Sequence, residues 1–395
     1  MSAIVKKSEQ LKADVIKHLY YKKVLSLTDL SRLTQKSLPL VTSIVNGLIK
    51  EGQVIEQGFA PSTGGRRPVM FLLNPDYKKY TVAVAMDQFI TRLTIYDLSN
   101  KKILPTQLVD LNMSAEGSAD LLVKFINECI AKSDINRENL LGVGIGMPGF
   151  VNAEKGMNYS FMPIEDGNSL QGYLFRKLNL PVFLDNDSSL IALAELHFGE
   201  AADLKDVLVL NIGWGTGLGM IVNGNLYRGS SGYAGEFSHI PLSNSDTLCS
   251  CGKRGCLEVE TSLLVMVNKA EEAVNKGEPT IMTELFKDKN KHHADHFLDA
   301  VVKQDPVAIS ILFDAAFQIG KGLATLIHIM NPERIVLSGR GAKAGKMLLP
   351  PIQQAINKFC IPRIAEQTSI VLSQLAEQAE LLAAASLVVE HSNFD

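Results

Sequence analysis

From Lys79 onward, short apolar runs alternate with amphipathic stretches twice over, and this alternation limits the fold more than any other feature of the chain. Thr81 to Asp87 and Thr91 to Asp97 read as adjacent strands, and Ala119 to Lys132 as a helix. Leu141 to Gly146 is a buried strand that runs into Met147-Pro148-Gly149. Val182 to Leu184 is another, followed by Asp185-Asn186-Asp187 and a helix from Ser188 to Phe198. The second half opens with Val207 to Ile212, a glycine loop, and Met220 to Val222. Helices fill Thr261 to Lys276, Ala294 to Lys303 and Pro306 to Met330, and the strands Arg334 to Leu337 and Ser369 to Leu372 complete the pattern. Such a repeat predicts two α/β lobes with a cleft between them.

The first 75 residues differ in kind. Leu11, Val15, Ile16 and Leu19 recur at helical spacing within Ser8 to Tyr21. A second short helix fits Ser26 to Thr34, with Ser26 as its N-cap. A third runs from Ser37 to Glu51, with Ser37 as N-cap, Pro39 in the first turn and an apolar stripe of Val41, Ile44, Val45 and Leu48. Val54 to Glu56 and Val69 to Leu73 then read as two strands around the loop Gly58 to Pro68. Three helices and a hairpin form the winged helix-turn-helix layout, although a three-helix protein-interaction module has the same pattern. The hairpin tip, Gly64-Gly65-Arg66-Arg67-Pro68, favours the DNA reading, because paired arginines on a flexible loop suit a narrow minor groove. The expected domains are 1–75 (head), 76–190 (first lobe) and 191–395 (second lobe), with the final helix returning to the first lobe.

At 395 residues the chain is too long for one ordinary core. Its net charge of −3 means that any affinity for nucleic acid must come from a local basic patch. Met1 to Gln10 lacks the apolar segment of a secretory signal, and no uninterrupted apolar stretch approaches membrane-spanning length, so a cytoplasmic location without a membrane partner is expected.

Of the cysteines, Cys249, Cys251 and Cys256 crowd one glycine-bearing loop, whereas Cys129 and Cys360 stand apart. This does not resemble a disulfide framework. Gly252 and Gly255 let the loop curl so that three sulfurs converge, and the nearest upstream imidazole, His239, completes a Cys3His set. The expected cofactor is Zn2+ in a closed, structural site; the alternative is a group of buried free thiols.

With these residues in view, the chain resembles the ROK family, which groups repressors with sugar kinases. The resemblance is carried by Gly229 to His239, the three-cysteine loop with Leu257-Glu258, Gly146 to Gly149, Asp185-Asn186-Asp187, Gly213 to Gly219 and Asn331 to Leu337. It implies a two-lobed, actin-like and sugar-kinase-like (ribonuclease H-like) α/β domain. The winged helix ahead of it resembles the family's repressor branch, as in the glucose- and N-acetylglucosamine-responsive regulators. The resemblance further implies that Asn186, Asp187, Glu236, His239 and Glu258 bind sugar, with Asp187 as base if the chain is a kinase. Carboxylates, an amide and an imidazole are suitable partners for a ring of hydroxyls.

The nucleotide side departs from the kinase pattern. The family's first phosphate loop, Asp-x-Gly-Gly-Thr, is here Asp87-Gln88-Phe89-Ile90-Thr91, where side chains replace the bare backbone that phosphates approach. The second phosphate loop, Gly213 to Gly219, keeps its glycines, with Trp214 inside it, but Ser338-Gly339-Arg340-Gly341 places an arginine where kinases have glycine. The domain is therefore expected to be a sugar sensor without catalysis. The rival reading is an ATP-dependent kinase for a hexose or N-acyl amino sugar, with an accessory N-terminal module. The family's Asn-Leu sugar contact has no match in Tyr159 to Pro163, which leaves Asn158 or Asn168 as substitutes, and either a modified sugar (N-acetylated or phosphorylated) as effector or a pocket that binds weakly.

The regulator reading makes double-stranded operator DNA a partner. Lys36, Leu38, Leu40, Thr42, Ser43 and Asn46 would face the major groove, and Arg66 and Arg67 the minor groove. A homodimer or homotetramer is expected, because one head contacts one half-site. Sugar bound between the lobes would favour a form whose heads are misplaced for the operator. A phosphotransferase-system protein is the remaining partner that the resemblance suggests.

Overall fold

The computed structural model describes residues 3–59, 67–164, 169–375 and 378–394. The chain divides into two compact units, one comprising Met1–Asp185 with Leu381–Asp395, the other Asn186–Glu380.

The first unit begins with α1 (Ala3–Lys22), β1 (Leu25–Ser26), α2 (Leu27–Thr34), α3 (Leu38–Lys50), β2 (Val54–Phe59) and β3 (Val69–Leu73). Ser26 caps α2 in a reciprocal box: its Oγ accepts from the Asp29 amide at 3.1 Å, and the Asp29 carboxylate accepts from the Ser26 amide at 3.2 Å. Ser37 precedes α3 without a side-chain cap, contrary to expectation; Pro39 in the first turn needs no amide partner. β1, which is too short to show a period, pairs antiparallel with β3 through Leu25 and Phe71. Val41, Ile44, Val45 and Leu48 of α3 are buried, as the helical spacing predicts.

The head is followed by β4 (Tyr80–Met86), β5 (Ile90–Asp97), β6 (Lys102–Asp110), α4 (Ser118–Lys132), β7 (Leu140–Met147), β8 (Val151–Asn152), β9 (Met157–Asn158), α5 (Leu170–Leu178) and β10 (Val182–Asn186). The five-stranded sheet has the order β10-β7-β4-β5-β6, with β4, β5 and β6 an antiparallel meander and β7 parallel to β4. β6 was illegible in sequence because its exposure shows no clean alternation. Val84, Leu93, Ile95, Leu122, Ile126 and Ile145 lie in this lobe's core.

The second unit contains α6 (Asp187–Phe198), β11 (Val207–Ile212), β12 (Thr216–Val222), β13 (Asn225–Leu226), α7 (Glu258–Thr261), α8 (Leu263–Asn275), α9 (Met282–Leu285), α10 (His293–Val302), α11 (Pro306–Met330), β14 (Arg334–Ser338), α12 (Leu349–Phe359), α13 (Pro362–Ala365) and β15 (Ser369–Leu372). Its sheet order, β13-β12-β11-β14-β15, is an antiparallel meander followed by two parallel strands. Among the described residues, only α11 is long and apolar enough to cross a membrane. It carries Asp314 and Lys321 and buries Leu312, Ala316, Ile319 and Leu323 in the lobe's core.

The chain ends with α14 (Ala379–His391), whose residues from Leu381 onward belong to the first unit. Gly144 of β7 lets the helix lie directly on the sheet, because a β-carbon there would land on the Ala384 carbonyl. The far end of α14 meets the head. Lys17 Nζ donates to the Glu390 carbonyl at 2.5 Å, and the phenol groups of Tyr20 and Tyr21 lie against Ser386 and Glu390.

Candidate effector site and metal centre

The sequence places Asn186 and Asp187 after a strand; the structure makes them the N-cap and first residue of α6. Asn186 Oδ1 accepts from the amides of Ser188 and Ser189 at 3.0 and 3.2 Å, which caps the helix. Asp187 stands at the positive end of the helix, where a carboxylate is favoured. Its Oδ1 accepts from the Ser188 amide at 2.7 Å, and Asn211 Nδ2 reaches its Oδ2 at 3.4 Å.

Asn211 is the penultimate residue of β11, just before the turn into β12. Glu258 serves the other side of that turn, with Oε2 accepting from the Thr216 amide at 3.0 Å. Burial pushes the Glu258 carboxyl above its ordinary range. Glu236 is likewise raised, first by burial and then by the charge of Glu258, and its Oε2 lies 3.8 Å from His239 Nε2. The five residues singled out for sugar binding are thus linked around one turn of the second unit. Asn211 and Thr216, which hold two of them, were missed in sequence; they flank the Gly213-Trp214-Gly215 segment that drew attention for its glycines.

Those glycines have a packing role of their own. A β-carbon at Gly217 would land on Ser188 Oγ, and one at Gly219 on the Ala192 side chain, so β12 lies directly on α6. At Gly215 it would come 3.0 Å from Glu258 Oε1. Trp214 is buried edge-on to His292, with ring centroids 4.4 Å apart. The Arg340 guanidinium sits 5.4 Å from the Trp214 ring and pairs with Asp295 at 3.2 Å. The arginine that replaces the kinase glycine is therefore built into a cation–aromatic cluster.

In the first unit, the β4–β5 turn is braced by its own aspartate. Asp87 Oδ1 accepts from the amides of Phe89 and Ile90, both at 2.8 Å, so it holds its own hairpin. Asn158 is similarly committed: Nδ2 donates to the Pro148 carbonyl at 2.9 Å, and Oδ1 accepts from Ser160 and Phe161. It is thus no substitute for the missing sugar asparagine. Asn168 lies outside the described residues.

His239 and the three cysteines converge. One ligand atom from each of His239, Cys249, Cys251 and Cys256 lies within 4.8 Å of the others, so the group could hold a metal ion. His239 Nδ1 is 3.6 Å from Cys249 Sγ, and Cys251 and Cys256 are 3.6 Å apart. Gly252 and Gly255 adopt positive φ, +81° and +78°, as the curled loop requires. Phe237 and Leu257 fasten the loop to the core and pack so closely on α11 that Gly322 has no room for a side chain.

Among the DNA-contact candidates, Lys36, Leu38, Leu40, Ser43, Asn46 and Arg67 are exposed, whereas Thr42 is half-buried with its hydroxyl donating to the Leu38 carbonyl at 2.8 Å. Arg66 lies outside the described residues. Arg67 stands 6.0 Å from the ring of Phe59.

A family model described as the ROK family matches residues 83–391. A xylose repressor from Caldicellulosiruptor bescii is 28% identical over 385 residues, covering 95% of this chain and 94% of its own. A solved ROK family transcriptional regulator, described as a homolog of the E. coli MLC protein, superposes with a TM-score of 0.78 at 23% identity, covering 98% of this chain and 96% of that one. A ROK family glucokinase from Streptomyces griseus, solved with glucose and AMPPNP, superposes with a TM-score of 0.68 at 27% identity and covers 78% of this chain but 98% of that one.

Proposed function

Because this chain belongs to the ROK family, we propose that it is a sugar-responsive transcriptional repressor whose kinase-like body senses the sugar without phosphorylating it. The observation that carries this reading is a head of three helices and a hairpin with an exposed Arg67, joined to a domain in which the residues proposed to bind sugar gather around one turn. The head is a winged helix-turn-helix, with α3 in the major groove and the Arg66-Arg67 tip in the minor groove. Lys36, Leu38, Leu40, Ser43 and Asn46 face DNA; Thr42 offers only its methyl group, since its hydroxyl is bonded within the helix. One head covers one half-site, so a homodimer or homotetramer binds a palindrome.

In the body, Asn186, Asp187, Glu236, His239 and Glu258 hold the effector hydroxyls. A near-full-length relative is named a xylose repressor, so xylose is the first sugar to test, ahead of glucose and acylated or phosphorylated amino sugars. Asp187 keeps the position of a catalytic base, but two turns depart from the kinase pattern: Phe89 and Ile90 stand in the first loop where the family has glycines, and Arg340 is engaged with Trp214 and Asp295. Sugar acts by binding one of two states of the chain more tightly than the other.

The metal proposed for the Cys3His group is Zn2+. Metal–ligand bonds of about 2.0–2.3 Å require donor separations of roughly 3.3–3.8 Å in a tetrahedron, and the two 3.6 Å separations fit. His239 Nδ1 faces the thiols and Nε2 faces Glu236, so one ring serves the ion and the sugar pocket together.

Thermal-shift measurements with each sugar, and separately with ATP, test the reading. One sugar at a hundredfold excess over its Kd should stabilise the chain by about 2.7 kcal/mol, while ATP gives no shift. Sugar-dependent ATP turnover that disappears in Asp187→Asn would instead identify a kinase.

A further inference from the structure

The outward face of α3 carries an unusual set of side chains. Leu38 and Leu40 lie in its first turn, each 46% exposed, with exposed Pro39 between them. Ser43 and Asn46 continue the exposed face, and Gly47 adds no side chain to it. From Ser37 to Ile49 there is no arginine, lysine, glutamine or acidic residue; the cations stand outside this stretch, at Lys36 and Lys50.

This composition matches one kind of base pair. Guanine is read chiefly by arginine or lysine, and cytosine by a carboxylate, and the body of α3 has neither. Adenine is read by asparagine or glutamine, and the thymine C5-methyl by apolar side chains. Asn46 supplies the first and the two leucines the second. Recognition helices present their N-terminal residues to base edges, which is where Leu38 and Leu40 stand. The flanking lysines have the sign that phosphates require, and Arg67 on the hairpin suits the narrow minor groove of an A·T tract.

We propose that Leu38 and Leu40 read thymine methyl groups and Asn46 reads adenine, so that the half-site under the first turns of α3 consists of A·T pairs. This rests on the DNA-binding reading of the head and adds its sequence preference. The test uses the full chain to select duplexes from a random-sequence pool, followed by affinity measurements on the enriched duplex. A·T pairs should dominate each half-site. Replacing its thymines by deoxyuridine, which lacks only the methyl, should weaken wild-type binding about fourfold per contacted methyl. The Leu38→Ala/Leu40→Ala double variant, altered only at exposed positions, should keep its melting temperature and lose less than twofold on the same replacement.

Enrichment of G·C pairs at the half-site centre, or equal uracil sensitivity in wild type and double variant, would overturn the proposal while leaving DNA binding intact. Failure to retain any duplex above background at low salt would overturn it together with the DNA-binding reading.

Discussion

Replacing Gly217 of β12 by alanine separates two explanations for the glycines between Gly213 and Gly219. In a kinase they would be kept for phosphate. Here the structure gives Gly217 a different task, because an added β-carbon would land on Ser188 Oγ and lie 2.8 Å from Ser188 Cβ. Ser188 belongs to the first turn of α6, next to Asp187, and its Oγ also accepts from Asn211 at 3.1 Å. The variant must push α6 and β12 apart or disturb this hydrogen bond. Overpacking of this kind costs roughly 1–3 kcal/mol. In a unit of this size that lowers Tm by about 2–12 °C. Calorimetry without nucleotide should show the loss, together with weaker sugar binding. Ser188→Ala should recover only part of the Tm in the double variant, since the β-carbon conflict remains. An unchanged Tm for Gly217→Ala would refute the packing argument and return these glycines to a phosphate role.

Three further outcomes follow from the site. Glu195 is fully buried, accepts from the Glu200 amide at 3.0 Å and from Ser338 and Ser373, and has its pKa raised, burial outweighing these bonds. A raised carboxyl favours the fold below the ordinary glutamate range and costs stability as pH rises through the folded pKa. Glu195→Gln should therefore melt higher than wild type at pH 7, with the gain vanishing in acid; a lower Tm at pH 7 would contradict the sign. Asn186→Asp keeps the cap on α6 and should change stability by less than about 0.5 kcal/mol, while removing the Nδ2 donor and weakening sugar binding in titration calorimetry. With Zn2+ in the Cys3His group as proposed, its removal by a chelator, or Cys251→Ser, should destabilise the second unit and weaken both sugar response and DNA binding, because His239 would serve both the ion and the sugar. Metal loss with normal sugar-dependent DNA release would leave the ion without a coupling role.

How far the sequence carried these conclusions depended on how local the determinants were. The Cys3His group was legible because three ligands lie within eight residues and glycines mark the curl. The head was legible through the stripe of α3 and the N-cap residue Ser26, whereas β1 escaped because two residues cannot display a period. The residues proposed for sugar binding rest only on resemblance. Asp187, Glu236 and Glu258 are far apart along the chain, and nothing local marks Asn211 or Thr216 as the groups that hold two of them. The same limit hid the Arg340–Trp214–Asp295 cluster: the sequence showed an arginine in place of glycine, but not the ring and carboxylate that receive it. Asn158 shows the converse, since a residue of suitable type proved to be occupied by its own loop.

The most direct test of a sugar-sensing repressor is fluorescence anisotropy of the purified full chain on its selected duplex, titrated with xylose, glucose and amino-sugar derivatives at fixed salt. The account predicts that one sugar releases the duplex, that ATP neither assists nor is consumed, and that Glu258→Gln binds the duplex but no longer responds to that sugar. Duplex binding indifferent to every sugar, with ATP consumed in the presence of one of them, would contradict it.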